Sequence, residues 1–119
     1  MKILYVEDNK INAVVMSKML SKNAYNVISV PNAQAALQKA TTFKFDLILI
    51  DINLGVNQMD GCQLLKALRL IETVKVIPIY AVTAYALPGD ETRFLQQGFD
   101  QYFSKPVNFE KLLDAIAIL

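Results

Sequence analysis

Charged and hydroxyl side chains follow several short apolar runs of this chain, at the points where the runs end. They are Glu7, Asp8, Asp51, Thr83 and Lys105. If the runs are neighbouring parallel strands, these ends meet at one edge of a sheet. Like charges at about 4–6 Å raise one another's pKa, so three carboxylates this close together are unfavourable. One ammonium group cannot neutralise all three. The pattern therefore predicts a bound divalent cation, and oxygen ligands without His or Cys favour Mg²⁺.

The same residue types suit phosphoryl transfer. Asp51 is the predicted nucleophile, since a carboxylate can attack phosphorus and carry the group covalently. The metal and Lys105 would hold two equatorial oxygens of the phosphoryl group, where negative charge develops. The hydroxyl of Thr83 can donate to a third oxygen only once the group is present, so this hydrogen bond predicts a conditional switch.

Extended and helical patterns alternate along the chain, which predicts an α/β fold. The uninterrupted apolar run 47–50 suits a strand buried on both faces, as in a parallel sheet covered by helices. Five strands and five helices are predicted, in a doubly wound, flavodoxin-like parallel sheet of strand order 2-1-3-4-5. Sheets of this kind place their ligands at the carboxyl ends of the strands.

Individual residues predict where the elements begin and end. Asn32 and Asn108 are predicted helix N-caps, and Gly98 is predicted to stop a helix over residues 88–97. The fourth strand is predicted over residues 76–83. For the first helix, residues 10–22, the stripe predicted to face the sheet is Ile11, Val14, Val15, Met19 and Leu20.

Composition excludes several functions. The 119 residues fit one domain, 1–119, and 54% hydrophobic residues indicate a folded core. A net charge of +1 does not provide the positive electrostatic field that would attract nucleic acid. The absence of histidine excludes His-based triads, His-ligated zinc and a role as the histidine phospho-donor. A single cysteine, no signal-peptide pattern and no membrane-length apolar run favour the cytoplasm.

Five short pieces, in this order and at these predicted strand ends, resemble the response regulator receiver family over the whole chain. They are Glu7-Asp8, Asp51, Asp60-Gly61, Thr83-Ala84 and Lys105-Pro106. The resemblance implies that a histidine kinase or histidine phosphotransfer protein phosphorylates Asp51, with Mg²⁺ required. It also implies that Asp8, Asp51 and the backbone carbonyl of Asn53 bind the metal, with Glu7 acting through water.

The same resemblance implies how the domain switches. Tyr102, three residues before Lys105, matches the aromatic residue that turns inward when Thr83 moves toward the phosphate. The small Ala84 suits the close approach of the phosphoryl group. A domain of this kind is not a conventional enzyme, although it catalyses its own phosphorylation and dephosphorylation, and a downstream effector would bind its switched face.

Two loops have features of their own. Residues 51–61 are two residues longer than the family's Asp-x-x-Met-Pro-x-Met-Asp-Gly loop, and Leu54-Gly55 stands in place of Met-Pro. Asn53 and Tyr85 lie two residues past the nucleophile and the switch threonine, where they flank the path of an attacking water. We therefore hypothesise that bulky Tyr85 shields the acyl phosphate and slows its loss.

Other functions fit less well. A haloacid-dehalogenase-type phosphatase also uses Asp, Thr and Lys at strand ends, but its general acid would fall on Asn53, which has no carboxyl proton. In a flavodoxin-type flavin carrier, Glu7-Asp8 would repel the phosphate. A degenerate receiver, acting only as a protein-interaction module, typically lacks the acids or the lysine. Taken singly, the same residues could be caps, turn residues or solvated charges, so the prediction depends on their convergence.

Overall fold

The structure, a computed structural model, describes residues 1–52, 61–84 and 88–119. Its strands are parallel and form one five-stranded sheet of order β2-β1-β3-β4-β5. They are β1 (Lys2–Val6), β2 (Asn26–Val30), β3 (Leu47–Asp51), β4 (Ile79–Thr83) and β5 (Gln101–Ser104). The helices are α1 (Lys10–Lys22), α2 (Ala33–Thr42), α3 (Gly61–Arg69), α4 (Asp90–Gln97) and α5 (Phe109–Ala117). The predicted fold class and strand order are confirmed.

Strand β3 lies at the centre of the sheet, and all of its residues are buried. Because side chains alternate across a strand, Leu47 and Leu49 pack on one face, whereas Ile48 and Ile50 pack on the other. The first face is covered by α1 and α5, and the second by α2, α3 and α4. Apolar side chains on both faces explain why no polar residue interrupts this run before Asp51.

The prediction for the buried face of α1 was wrong. Of the five residues in the predicted stripe only Leu20 is buried, while Ile11 is 75% exposed. The helix packs on the sheet through Met16 and Leu20, which lie four residues apart on one face. Apolar residues occur on several sides of this helix, so their spacing alone could not show which side meets the sheet.

Asparagine side chains cap three of the helices. Asn32 Oδ1 accepts from the backbone N–H of Ala35 at 2.8 Å, and Asn108 Oδ1 accepts from that of Lys111 at 3.2 Å, which confirms both predicted caps. Asn9 caps α1 in the same way. Gly98 ends α4 in the left-handed conformation, at a φ of 118°, as the sequence predicts.

Two predicted boundaries differ from the structure. Strand β4 starts at Ile79 rather than residue 76, because a 3-10 turn over Glu72–Val74 and the segment after it occupy the preceding residues. Arg69 stabilises this segment by donating to the carbonyl oxygens of Val74 at 2.9 Å and Ile77 at 2.6 Å. Helix α4 begins at Asp90 rather than residue 88.

Gly61 lets α3 start directly against the end of β3. Its N–H donates to the Ile52 carbonyl at 3.2 Å, and a Cβ at this position would lie 2.8 Å from Ile52 Cα. A contact between backbone atoms cannot be relieved by rotating a side chain. We therefore expect Gly61→Ala to lower the free energy of unfolding by about 1–3 kcal/mol, measured by urea denaturation. Lys66→Ala, an exposed change in the same helix, is the control and should stay within about 0.5 kcal/mol of the native value.

Candidate functional site

The predicted site residues follow strands that are neighbours in the sheet. Backbone hydrogen bonds hold each strand end in place: Glu7 N–H donates to the Val30 carbonyl at 2.9 Å, and Lys105 N–H donates to the Thr83 carbonyl at 2.8 Å. Asp51 ends the central strand and pairs in register with Val82. The sheet therefore brings Glu7, Asp8, Asp51, Thr83 and Lys105 to one edge, as predicted.

Lys105 bridges two buried carboxylates. Its Nζ lies 3.0 Å from Glu7 Oε1 and 2.9 Å from Asp51 Oδ2. The Glu7 side chain is fully buried and that of Asp51 is 4% exposed. Burial lowers the pKa of Lys105, but the hydrogen bonds to Asp51 and Glu7 outweigh it and hold this pKa above its usual value. The lysine is therefore a fixed positive charge between the two acids.

In the part of the chain that the structure describes, the acids at this edge outnumber the cations. Carboxylate oxygens of Glu7, Asp8 and Asp51 lie within 4.8 Å of one another. Burial and the neighbouring Asp51 carboxyl raise the pKa of Glu7 to about 7, although the hydrogen bond from Lys105 opposes this rise. Glu7 Oε2 is buried and has no hydrogen-bond partner among the described residues. A buried acceptor of this kind fits a cation or its bound water, and an all-oxygen donor set fits a hard ion such as Mg²⁺.

The raised pKa of Glu7 gives the metal-free protein a pH-dependent stability. A carboxyl that holds its proton more tightly when folded contributes stability below its unfolded pKa of 4.5, and loses it as the pH rises through about 7. Among the described residues, Asp51, Asp8, Lys105 and Tyr5 are ionisable groups near it. In EDTA, we expect the free energy of unfolding to be about 1–3 kcal/mol lower at about pH 8 than at about pH 5.

Glu7→Gln tests this expectation, because the neutral amide cannot titrate. Urea denaturation in EDTA should show a smaller loss of stability over the same pH range in the variant than in the native chain. An equal pH dependence in both proteins would assign the effect to other groups. Glu110→Gln, a change in the first turn of α5, serves as the control.

Thr83 and Tyr102 lie on the same side of the sheet. Thr83 is fully buried at the end of β4. Tyr102 pairs in register with Ala81, and alternation puts Thr83 on the same face as Ala81. The Tyr102 ring is half-buried and packs against the cluster that α2, α3 and α4 cover. Both predicted switch residues are therefore on one face of the sheet, two positions apart along neighbouring strands.

The remaining predicted positions fall into two groups. Ala84 follows β4 and is exposed, and Pro106 follows a cis peptide bond after Lys105. Asn53 and Tyr85 lie outside the described residues, as does Asp60. The predicted carbonyl ligand and the shielding hypothesis therefore stay predictions.

Tyr5 and Asn12 adjoin the site but were not predicted from the sequence. Together with Lys105 and Pro106 they line a cavity of about 560 Å³ between α1 and the start of α5. Burial, followed by the charges of Glu7 and Asp51, raises the pKa of Tyr5 above its usual range. The signal for Tyr5 was its position two residues before Glu7, which puts both side chains on the same side of the extended chain at the end of β1. For Asn12 we find no comparable signal.

None of the helices in the described ranges has the length and apolar character needed to cross a membrane.

Comparison with known proteins identifies the family. The model of the response regulator receiver domain matches residues 3–117. The polar-differentiation response regulator DivK of Brucella anthropi is 34% identical over 114 residues, which cover 96% of this chain and 91% of that protein. The chemotaxis protein CheY4 of Vibrio cholerae superimposes with a TM-score of 0.88 at 30% identity, covering 98% of this chain and 95% of that one.

A third relative carries a metal. The receiver domain of the sensor histidine kinase PA1611 of Pseudomonas aeruginosa is 36% identical, with a TM-score of 0.85 over 96% of this chain and 92% of that one. It was solved with a magnesium ion coordinated in the active-site cleft. These relationships do not favour the phosphatase alternative. The sequence, fold and acidic strand-end cluster of this chain show that it belongs to the response regulator receiver domain family of two-component signalling.

Proposed function

We propose that this chain, as a single receiver domain over residues 1–119, takes a phosphoryl group on Asp51 from the phosphohistidine of a histidine kinase or a histidine phosphotransfer protein. The observation that carries this proposal is the Lys105 ammonium, which bridges the buried carboxylates of Asp51 and Glu7. A lysine in this position supplies a cation at the nucleophile itself. We also propose a cytoplasmic setting, because a chain with one cysteine cannot form an internal disulfide.

The transfer step requires a carboxylate oxygen in line with phosphorus. An Asp51 oxygen forms the new P–O bond, the N–P bond of the phosphohistidine breaks, and the imidazole leaves with the bonding electrons. Asp51 lies at the end of a strand that is buried along its whole length, so its backbone is held by the sheet. This fixed position supports the proposal, since catalysis of phosphoryl transfer depends mainly on positioning and charge.

The acids of the site would hold the metal. Asp8 and Asp51 would bind Mg²⁺ directly and Glu7 through a bound water, with the Asn53 carbonyl added from the family resemblance. The buried Glu7 Oε2 supports this role, because a water on the metal can donate to it. When bound, the metal supplies positive charge for the phosphoryl oxygens.

Lys105 and Thr83 would then hold the transferred group. The Lys105 ammonium moves its hydrogen bonds from the bare carboxylates to a phosphoryl oxygen, and the Thr83 hydroxyl donates to another. Thr83 is fully buried, so its movement must change the packing of neighbouring side chains, of which Tyr102 is the proposed switch. A downstream effector would bind the face that this movement changes. Exposed Ala84 leaves room for the group, and Tyr85 is proposed to slow its hydrolysis.

Intact-mass measurement tests the proposed function. The native chain is incubated with acetyl phosphate and Mg²⁺, and in parallel with acetyl phosphate and EDTA. We expect the mass of one phosphoryl group to appear in the first reaction, and little or none in the second. No added mass in the presence of Mg²⁺ would reject the assignment. Multiple turnover of a generic phosphate ester would instead favour the phosphatase.

A further inference from the structure

An aromatic stack connects Tyr102 to helix α4. The rings of Tyr102 and Phe94 are nearly parallel, at 17°, with centroids 5.8 Å apart. Phe94 is buried in the core, whereas Tyr102 is only half-buried. Strand β5 and helix α4 thus share a contact in which one ring belongs to the proposed switch and the other to the helix.

The stack continues to the protein surface. The Arg93 guanidinium lies 4.6 Å from the centroid of the Phe94 ring and donates to Asp90 Oδ1 at 3.2 Å. The Arg93 side chain is 55% exposed. A cation over an aromatic face is attracted by the ring's quadrupole, so the position of Phe94 influences where Arg93 sits. A buried ring therefore lies between the switch residue and an exposed charge.

We propose that Phe94 couples Tyr102 to helix α4, so that the α4 surface around Arg93 changes when Tyr102 leaves the stack. This inference rests on the proposed function, in which phosphorylation of Asp51 moves Thr83 and then Tyr102. Rotation of the Tyr102 side chain away from α4 separates the two rings, and Phe94 and Arg93 must then repack. In the proposed switch the stack would be present in the resting state and lost once Tyr102 rotates, and a contact made in one state only is what a coupling element requires.

The coupling acts in both directions, because two linked equilibria influence each other equally. If the stack holds Tyr102 in the resting position, weakening it favours the phosphorylated arrangement. A stacked aromatic pair is typically worth enough to change an equilibrium by about two- to tenfold. Phe94→Leu should therefore speed phosphorylation by acetyl phosphate by about that factor.

A double-mutant cycle isolates this contact from general loosening of the core. The four proteins are the native chain, Phe94→Leu, Tyr102→Leu and the double variant. Phosphorylation rates are measured by intact mass at one Mg²⁺ concentration. We expect Phe94→Leu to speed the reaction in the native background and to have no further effect when Tyr102 is already replaced. Equal effects in both backgrounds would overturn the coupling.

Two further variants act as controls. Phe99 meets the Phe94 ring edge-on, at 85° and 6.3 Å, and is equally buried. Phe99→Leu removes a ring of the same size from the same core but leaves the Tyr102–Phe94 stack in place, so its rate should stay near the native one. Tyr102→Phe keeps the ring, so Phe94→Leu should speed the reaction in this background as it does in the native one. A native-like Phe94→Leu rate, or a Phe99→Leu rate raised by the same factor, would overturn the proposal.

NMR supplies a readout that does not depend on any substitution at Phe94. In the phosphorylated native chain, ring resonances of Tyr102 and Phe94 and amide resonances of residues 90–97 should shift together. Shifts at Tyr102 with unchanged Phe94 and α4 resonances would refute the coupling while leaving the proposed function intact. If the native chain takes up no phosphoryl group, the proposed function fails first, so the two failures are distinguishable.

Discussion

Replacing Asp51 by Asn is expected to abolish phosphorylation by acetyl phosphate and Mg²⁺. The amide is nearly the same size as the carboxyl but is a poor nucleophile, so no acyl phosphate can form at this position. The substitution also removes one of two carboxylates that share Lys105. We therefore expect the variant to fold, and to be at least as stable as the native chain without metal.

Intact mass checks this result directly. The native chain should gain one phosphoryl group and Asp51→Asn none over the same period. Asp114→Asn, a change on the exposed surface of α5, is the matched control and should be phosphorylated like the native chain. A phosphoryl group on the Asp51→Asn variant would show that another residue is the acceptor.

Lys105→Met is expected to have the second-largest effect on the rate of phosphorylation, after Asp51→Asn. Among the described residues, Lys105 is the only cation within ion-pair distance of Glu7 and Asp51, and the substitution removes it. A positive charge at the transferred group is lost, and loss of one preorganised charge-stabilising group typically slows a reaction by about 10²–10³-fold. Phosphorylation by acetyl phosphate should therefore slow by about that factor at saturating Mg²⁺.

The same variant should also be less stable without metal. Two buried carboxylates then lie close together without a cation, and removing one partner of a buried pair costs up to about 3–5 kcal/mol. Proton uptake by Glu7, whose pKa is already raised, limits the loss. Urea denaturation in EDTA measures this cost, and Lys111→Met, on the exposed side of α5, is the control. A phosphorylation rate within about threefold of the native rate would contradict the assigned role of Lys105.

Much of the fold was predictable from local patterns. The apolar run of β3 identified the central strand, since both of its faces are covered by helices. Asn32, Asn108 and Gly98 marked helix ends because capping depends on groups only a few residues apart. The start of β4 was missed, because the Arg69 contacts that hold the preceding segment join residues from separate elements.

The sequence by itself determined the doubly wound parallel sheet and the edge at which the acids, the threonine and the lysine meet. Alternation of apolar strands with helices and right-handed crossovers require such a sheet, and the strand order 2-1-3-4-5 followed from the resemblance to the receiver family. The tertiary structure alone decided which side of α1 is buried, and that one lysine bridges Glu7 and Asp51. It alone placed Phe94 against Tyr102. Contacts of this kind depend on how side chains from different elements pack together, and no local pattern records them.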